Sequence, residues 1–272
     1  MDQMNTDCAI DGQRATAFVT GADRGLGLAL TARLLSKGWR VFAGQYLGGE
    51  LNRLAWPELA ALAAQYPDGS LTPVPLDVAD ETSVRAAAQK VGTHTDRVDV
   101  LINNAGVSSP HAQPIREPQN YDEMHRLYNV NALGPLRVVE AFLPLTGASK
   151  MKRLCFVSSE AGSINRCERT SWYGYCMSKA ALNMAVKLLF NRLRPEGYTF
   201  RVYHPGWLRS YMGGSKNTKA DADVFHPPEP EEAAVPALAY FLRDRGRDPH
   251  QPARSDEDRL VMRDWLGREW PW

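Results

Sequence analysis

Nowhere in the 272 residues do about 18 apolar residues run together, so the sequence offers no helical membrane span. Basic tracts are missing as well. The 32 Lys and Arg stand against 31 Asp and Glu, a balance of +1, and nothing steers the chain to nucleic acid or an anionic membrane. The four cysteines, Cys8, Cys155, Cys167 and Cys176, form no Cys-x-x-Cys pair, and the six histidines form no ligand-spaced cluster, so no metal is expected. Cys155 sits in an apolar run, which reads as free thiols in a reducing compartment. Residues 1–13 carry Asp2, Asp7 and Asp11 and no apolar stretch, which reads as a flexible tail rather than a signal peptide or presequence and makes a cytoplasmic setting the expectation. No repeat and no Gly-, Ser- or Pro-rich linker divides the rest, so residues 14–272 are expected to form one domain.

What is present is ordinary globular material, 44% hydrophobic and 23% charged, enough for a sizeable core. Short apolar runs at 15–19, 40–44, 71–76, 98–102, 154–157, 200–203 and 260–262 alternate with stretches of helical period. This is the pattern of a doubly wound parallel sheet, Rossmann-like, with helices on both faces of a single α/β domain. In the segment 175–194, Ala181, Met184, Ala185, Leu188 and Leu189 recur at helical spacing as one apolar stripe, and Pro195 and Gly197 stop it. The stretch 207–230, with Gly213, Gly214, Pro227, Pro228 and Pro230, reads as a long functional loop of the lid type.

The first apolar run enters Thr20-Gly21-Ala22-Asp23-Arg24-Gly25-Leu26-Gly27 and then a helix. Glycines at such a turn remove the Cβ atoms that would hold a pyrophosphate away from backbone N–H groups and the positive helix end. The spacing differs from the G-x-G-x-x-G fingerprint, and tight packing alone would also account for the glycines. Later segments fall at the carboxyl ends of candidate strands, where α/β sheets bind ligands: Asp77, Asn103-Asn104-Ala105-Gly106, Ser158-Ser159 and Pro205-Gly206. Tyr175 and Lys179 lie four apart at a helix start and project from one face.

Taken in order, residues 20–27, the NNAG segment, Asn131 in Asn131-Ala132-Leu133-Gly134, Ser159, Tyr175-x-x-x-Lys179 and Pro205-Gly206 resemble the short-chain dehydrogenase/reductase superfamily over nearly the whole chain. The segments 175–183, 204–214 and 265–272, the last ending Gly267-Arg-Glu-Trp-Pro-Trp272, resemble the C-factor and sniffer branch of carbonyl reductases.

The resemblance implies an NAD(P)-dependent oxidoreductase that moves hydride between a nicotinamide and a small-molecule carbonyl or secondary alcohol. It implies Tyr175 as general acid/base, Lys179 holding the ribose and favouring the phenolate by its charge, Ser159 bonding the substrate oxygen, and Asn131 holding a water that links Lys179 to solvent. A free phenol titrates near about 10, so that role needs a lowered value. Tyr173 is the rival acid, but four residues on stands Met177, which carries no charge. Ser158 is the rival serine and more often serves the strand end. The resemblance also sets the cofactor against Thr20, Gly21, Arg24, Gly25, Leu26, Gly27, Asp77, Val78, Asn104, Ala105, Gly106, Tyr175, Lys179, Pro205, Gly206 and Ser210. Asp80 is better placed than Asp77 to cap the next helix.

Gln45 stands where NAD-preferring relatives commonly carry an acid, so a 2′-phosphate meets no repulsion there; with Arg24 this favours NADP over NAD. Trp172 and Trp207 are expected as apolar substrate walls. Arg166 and Arg169, on the segment 164–172 between Ser159 and Tyr175, read either as an anion-greeting pair or as a solvated loop. A homo-oligomer, dimer or tetramer, through the long helices is carried over from the family. Two other readings stay open: a catalytically silent cofactor-binding or signalling protein, and a non-redox reaction of epimerase or lyase type on the same scaffold.

Overall fold

The computed structural model describes residues 9–10, 12–48, 57–109, 112–208, 228–243 and 256–272. An eight-stranded sheet forms its centre. The chain order is β1 (Ala9–Ile10), β2 (Gln13–Arg14), β3 (Thr16–Val19), α1 (Gly25–Ser36), β4 (Arg40–Gln45), α2 (Pro57–Ala64), β5 (Leu71–Pro75), α3 (Glu81–Gly92), β6 (Val100–Asn103), α4 (Tyr121–Tyr128), α5 (Gly134–Gly147), β7 (Arg153–Val157), α6 (Tyr173–Leu193), β8 (Thr199–His204), α7 (Pro230–Phe241), β9 (Met262–Asp264) and β10 (Glu269–Trp270). The sheet runs β10-β9-β8-β7-β6-β3-β4-β5, every neighbour parallel except β10 against β9. The order reverses between β3 and β6, and there the two halves open a crevice above the carboxyl ends.

Alternation within the strands separates two cores. Ala17, Val19, Val100 and Ile102 face one side with Leu30 and Leu34 of α1 and Ala234 and Leu238 of α7. Phe18 and Leu101 face the other, with Val138 and Phe142 of α5 and Leu182 and Val186 of α6. Burial on both faces requires near-continuous apolar strands, which is why short runs mark the sheet so clearly in the sequence.

Two expectations change here, and one pair of buried charges is new. The apolar stripe of α6 points outward: Met184 and Leu188 are each 61% exposed, and the helix packs instead through Leu182, Val186, Phe190 and Leu193. The helix is apolar over much of its circumference, so periodicity alone does not choose the buried face. Within the supposed tail, Ala9–Ile10 pairs antiparallel with Gln13–Arg14, and Arg97 donates to the Ile10 carbonyl at 3.0 Å. Arg153, at the start of β7, and Arg201, within β8, are fully buried. Arg153 donates to the Phe241 carbonyl (2.6 Å) and Arg201 to that of Tyr240 (3.3 Å), at the carbonyl-rich end of α7, and Arg201 also pairs with Glu257. Of the loop 207–230, residues 209–227 lie outside the described residues, and Ser210 with them.

Candidate active site

Thr20 ends β3 and organises the glycine turn. Its hydroxyl accepts the N–H groups of Asn104 (3.0 Å) and Ala105 (2.9 Å), which locks the NNAG segment beside the turn. A Cβ on Gly27 would lie 2.0 Å from the Gly21 carbonyl oxygen, and one on Gly21 would lie 3.0 Å from the Ala105 Cα. Gly21 and Gly25 also hold φ of 61° and 54°, the left-handed region that glycine enters without strain. Gly25, Leu26 and Gly27 open α1, whose first turn has neither a side-chain cap nor an acidic residue. An uncapped, positively polarised helix end behind a turn stripped of Cβ atoms fits a pyrophosphate.

The Asp23 carboxylate is buried and accepts from Arg24 at 2.7 Å and from the Tyr46 backbone. Burial raises its pKa, against the pull of the guanidinium. Tyr46 follows Gln45, so Asp23 ties Arg24 to the end of β4. At the next strand, Asp77 accepts from the Ala79 N–H at 2.9 Å, while Asp80 caps α3 by accepting from Thr82. Val78 is buried against Gly134, where an added Cβ would meet it at 3.0 Å.

Tyr175, Lys179, Ser159 and Asn131 converge below this turn. Tyr175 and Lys179 lie one turn apart on the buried face of α6, with the ammonium 5.9 Å from the phenol ring centroid. Ser159 hydrogen-bonds the Tyr175 side chain, and a Cβ on Gly106 would lie 3.3 Å from Asn131 Oδ1 and 3.6 Å from Lys179 Nζ. Burial pushes the phenol up to about 12 and the ammonium down to about 8. For the phenol, desolvation outweighs the Ser159 hydrogen bond and the Arg169 charge, which act to lower it. In this state the phenol is a proton donor.

Asn131 sits in a π-helical turn, Asn129–Leu133, between α4 and α5. Its amide donates to the Val107 carbonyl (2.8 Å) and to Ser178 Oγ (3.0 Å), and its oxygen accepts the Val107 N–H (2.8 Å). Both amide protons are engaged, so the side chain pins Val107 and α6 together, and its capacity toward a water is confined to the remaining lone pair of the oxygen. Ser158 donates to Asn183 Oδ1 at 2.6 Å, and Asn183 holds the Gly162 carbonyl, a structural arrangement distinct from that of Ser159.

The segment 164–172 rims the site. Arg169 forms a two-pronged pair with Glu160 (2.8 and 2.7 Å), and the Arg166 guanidinium stands 5.3 Å from the centroid of the Trp270 ring. Both cations thus have partners within the protein. Trp172 holds φ of 69°, unusual for a bulky residue; its indole N–H donates to the Ser109 carbonyl (2.9 Å) and its ring lies 4.8 Å from that of Tyr175. Trp207 is 53% exposed, beside the Pro205-Gly206 turn. Gly206 has φ of 77°, and a Cβ added there would meet the Trp265 ring at 2.8 Å. Sequence reasoning missed Ser109, Glu160 and Ser178, which act through backbone and neighbour contacts that no spacing reveals. No cluster that could hold a metal occurs among the described residues, nor any helix long and apolar enough to cross a membrane.

The short chain dehydrogenase family profile matches residues 15–221. The chain belongs to that family. It is an oxidoreductase acting between carbonyl and alcohol groups with a nicotinamide cofactor. It is 35% identical over 196 residues to an uncharacterized oxidoreductase of Schizosaccharomyces pombe, covering 72% of this chain and 74% of that one. It is 45% identical to the C-signal of Myxococcus xanthus over 124 residues, 46% of this chain and 74% of the relative. Among solved structures, an NADPH-bound carbonyl reductase from chicken fatty liver superposes with a TM-score of 0.76 at 29% identity, covering 96% of this chain and all of the other. The Sniffer carbonyl reductase of Drosophila melanogaster shares the fold, with a TM-score of 0.75 at 23% identity over 95% of this chain and 99% of that one. The carbonyl-reductase-like branch expected from the motifs agrees with these neighbours.

Proposed function

We propose that the protein reduces small-molecule aldehydes or ketones with NADPH, Tyr175 serving as the acid. The carrying observation is the buried phenol, held by Ser159 and raised to about 12, one helical turn from Lys179. A neutral phenol is the form that delivers a proton to a carbonyl oxygen as negative charge develops there. Ser159 bonds the same oxygen and fixes it near the Tyr175 hydroxyl. Lys179, close to its own midpoint at about 8, stabilises the phenolate left after transfer and passes a proton toward it. When bound, the nicotinamide supplies the hydride.

Gly21, Gly25, Leu26 and Gly27 would hold the pyrophosphate, Asp77, Val78, Asn104, Ala105 and Gly106 the adenosine side, and Lys179, Pro205 and Gly206 the nicotinamide end. NADP is chosen over NAD because Arg24 is drawn to the end of β4 beside the neutral Gln45, and the chicken carbonyl reductase carries NADPH. Trp172, against Tyr175, is assigned to the substrate mouth. A second copy of the chain would cover the outward face of α6, where Met177, Met184 and Leu188 are exposed.

A panel of aldehydes and ketones offered with NADPH and with NADH, followed at the nicotinamide absorbance band, tests the reading. Turnover with NADPH preferred is expected. The likeness to the C-signal favours one second reading, signalling without turnover; tight NADPH binding with no turnover on any carbonyl or alcohol would select it.

A further inference from the structure

The ending 265–272 is a sequence motif that the proposed reaction leaves without a role. β9 adds to the sheet beside β8, with His204 opposite Asp264, and β10 turns back along β9. Between them the Trp265 ring fills the space a Cβ on Gly206 would take, 2.8 Å from it, in the turn assigned to the nicotinamide. The His204 ring lies 5.3 Å from Trp265 and 5.6 Å from Trp270.

The same segment reaches the substrate rim. The Asn165 N–H donates to the Trp272 carbonyl at 3.0 Å, and Arg166 stands over Trp270. The rim is therefore held at its start by 270–272. It is held at its end by the Arg169 pair with Glu160 and by Trp172, whose ring lies against Tyr175 while its indole N–H grips Ser109. Trp172 sits in a left-handed conformation that a bulky residue keeps only when its surroundings over-determine it. A rim released at either anchor would let Trp172 relax, and the Tyr175 ring would lose its neighbour.

We propose that Trp270 is a positioning residue for Tyr175: it anchors the rim 164–172 through Arg166, and the rim sets the phenol through Trp172. The inference rests on Tyr175 as the proton donor, and it gives 265–272 a function in the active site. The indole N–H of Trp270 is buried without a partner among the described residues, so the ring works by its faces and a phenyl ring should serve.

Two measurements separate this inference from the reaction itself. A glutamyl endopeptidase cutting after Glu168 reports how often the rim opens, with no turnover required. Trp270→Ala and Arg166→Ala should each speed that cut several-fold with cleavage elsewhere unchanged, Trp270→Phe should cut like the parent, and the double variant should be no faster than Trp270→Ala. With NADPH and benzaldehyde, or whichever carbonyl of the panel turns over best, kcat should fall about fivefold for Arg166→Ala and about tenfold for Trp270→Ala, with KM and NADPH affinity within about twofold. Arg166 is exposed, so its variant should keep the fold and decides the matter should Trp270→Ala fail to fold. Parent-like cutting after Glu168 in Arg166→Ala, or effects of the two substitutions that add, would overturn the anchor whether or not the protein proves to be a carbonyl reductase. Faster cutting with unchanged kcat would overturn the positioning role.

Discussion

The side-chain amide of Asn104 donates to two consecutive carbonyls, those of Thr20 and Gly21, at 3.0 and 3.1 Å. One residue just past the fourth strand of the parallel succession thereby fixes the backbone of the glycine turn after the first. Asn104→Ala leaves both carbonyls without that donor and should cost about 1–3 kcal/mol, read as a lower midpoint in denaturant. NADPH affinity should fall with it, because the turn loses its template. Unchanged stability and affinity would mean that water replaces the amide in full.

Tyr175→Phe deletes only the hydroxyl. Turnover should drop by about 10²–10⁴-fold while NADPH binding, followed by quenching of tryptophan fluorescence, stays near that of the parent. Lys179→Ala should damage both, since it lies against the glycine turn of the NNAG segment as well as the phenol. Parent-like rates in Tyr175→Phe would remove the phenol from the chemistry.

Lys179 gives a stability prediction with a definite sign. Its pKa falls from an ordinary 10.5 to about 8 in the fold, so between these values the unfolded chain binds more protons and stability rises with pH. Below about 8 both states are protonated and the burial cost is felt in full. Lys179→Met, of similar length and without charge, should therefore raise stability at pH 7 by up to about 3 kcal/mol, and the advantage should shrink toward pH 10. Chemical denaturation at several pH values checks it. A gap that widens with pH would contradict the burial argument.

Cofactor choice is tested at the end of β4. Arg24→Ala should weaken NADPH by about tenfold while leaving NADH nearly unchanged, the worth of one charge-assisted contact. Gln45→Asp should act in the same direction by setting a carboxylate against the 2′-phosphate. Titrations in which the parent already prefers NADH would reverse the assignment.

The outward apolar face of α6 predicts self-association. Charging it, with Met184→Glu and Leu188→Glu together, should shift the protein to monomer in light scattering, since each buried apolar side chain of this size contributes about 1.5–3 kcal/mol. A parent that is monomeric at high concentration would leave that face for another role.

Strands β3 to β9 were legible to within about two residues because a sheet buried on both faces reads as short, largely apolar runs, whereas the two-residue β10 left no such run. The pairing of Tyr175 and Lys179 was legible because they lie four apart on one helix and share its buried face, whereas Ser159 and Asn131, on other segments, were named only through the resemblance to the dehydrogenase family. The orientation of α6 was not, since Met184 and Leu188 are as apolar as Leu182 and Val186, and only the packed sheet decides between them. Buried Arg153 and Arg201 were equally hidden: their counter-charges are helix-end carbonyls and a distant Glu257, none of which a local pattern records. The burial that raises the Tyr175 phenol was hidden too, because the cost of desolvation depends on the whole fold, whereas the nearby lysine is visible in four residues.

The strand order has a consequence for synthesis. β3 is the first strand of the large sheet to leave the ribosome, yet it ends up in the middle, with β4 on one side and β6 on the other. Until the residues around 100 emerge, its β6-facing edge offers unpaired backbone groups flanked by Phe18 and Val19. A nascent chain of that length presents a template for pairing with other chains, the condition under which chaperones are needed. Ribosome-stalled chains ending before β6 should accordingly bind holdase chaperones, and those extended past β7 should release them.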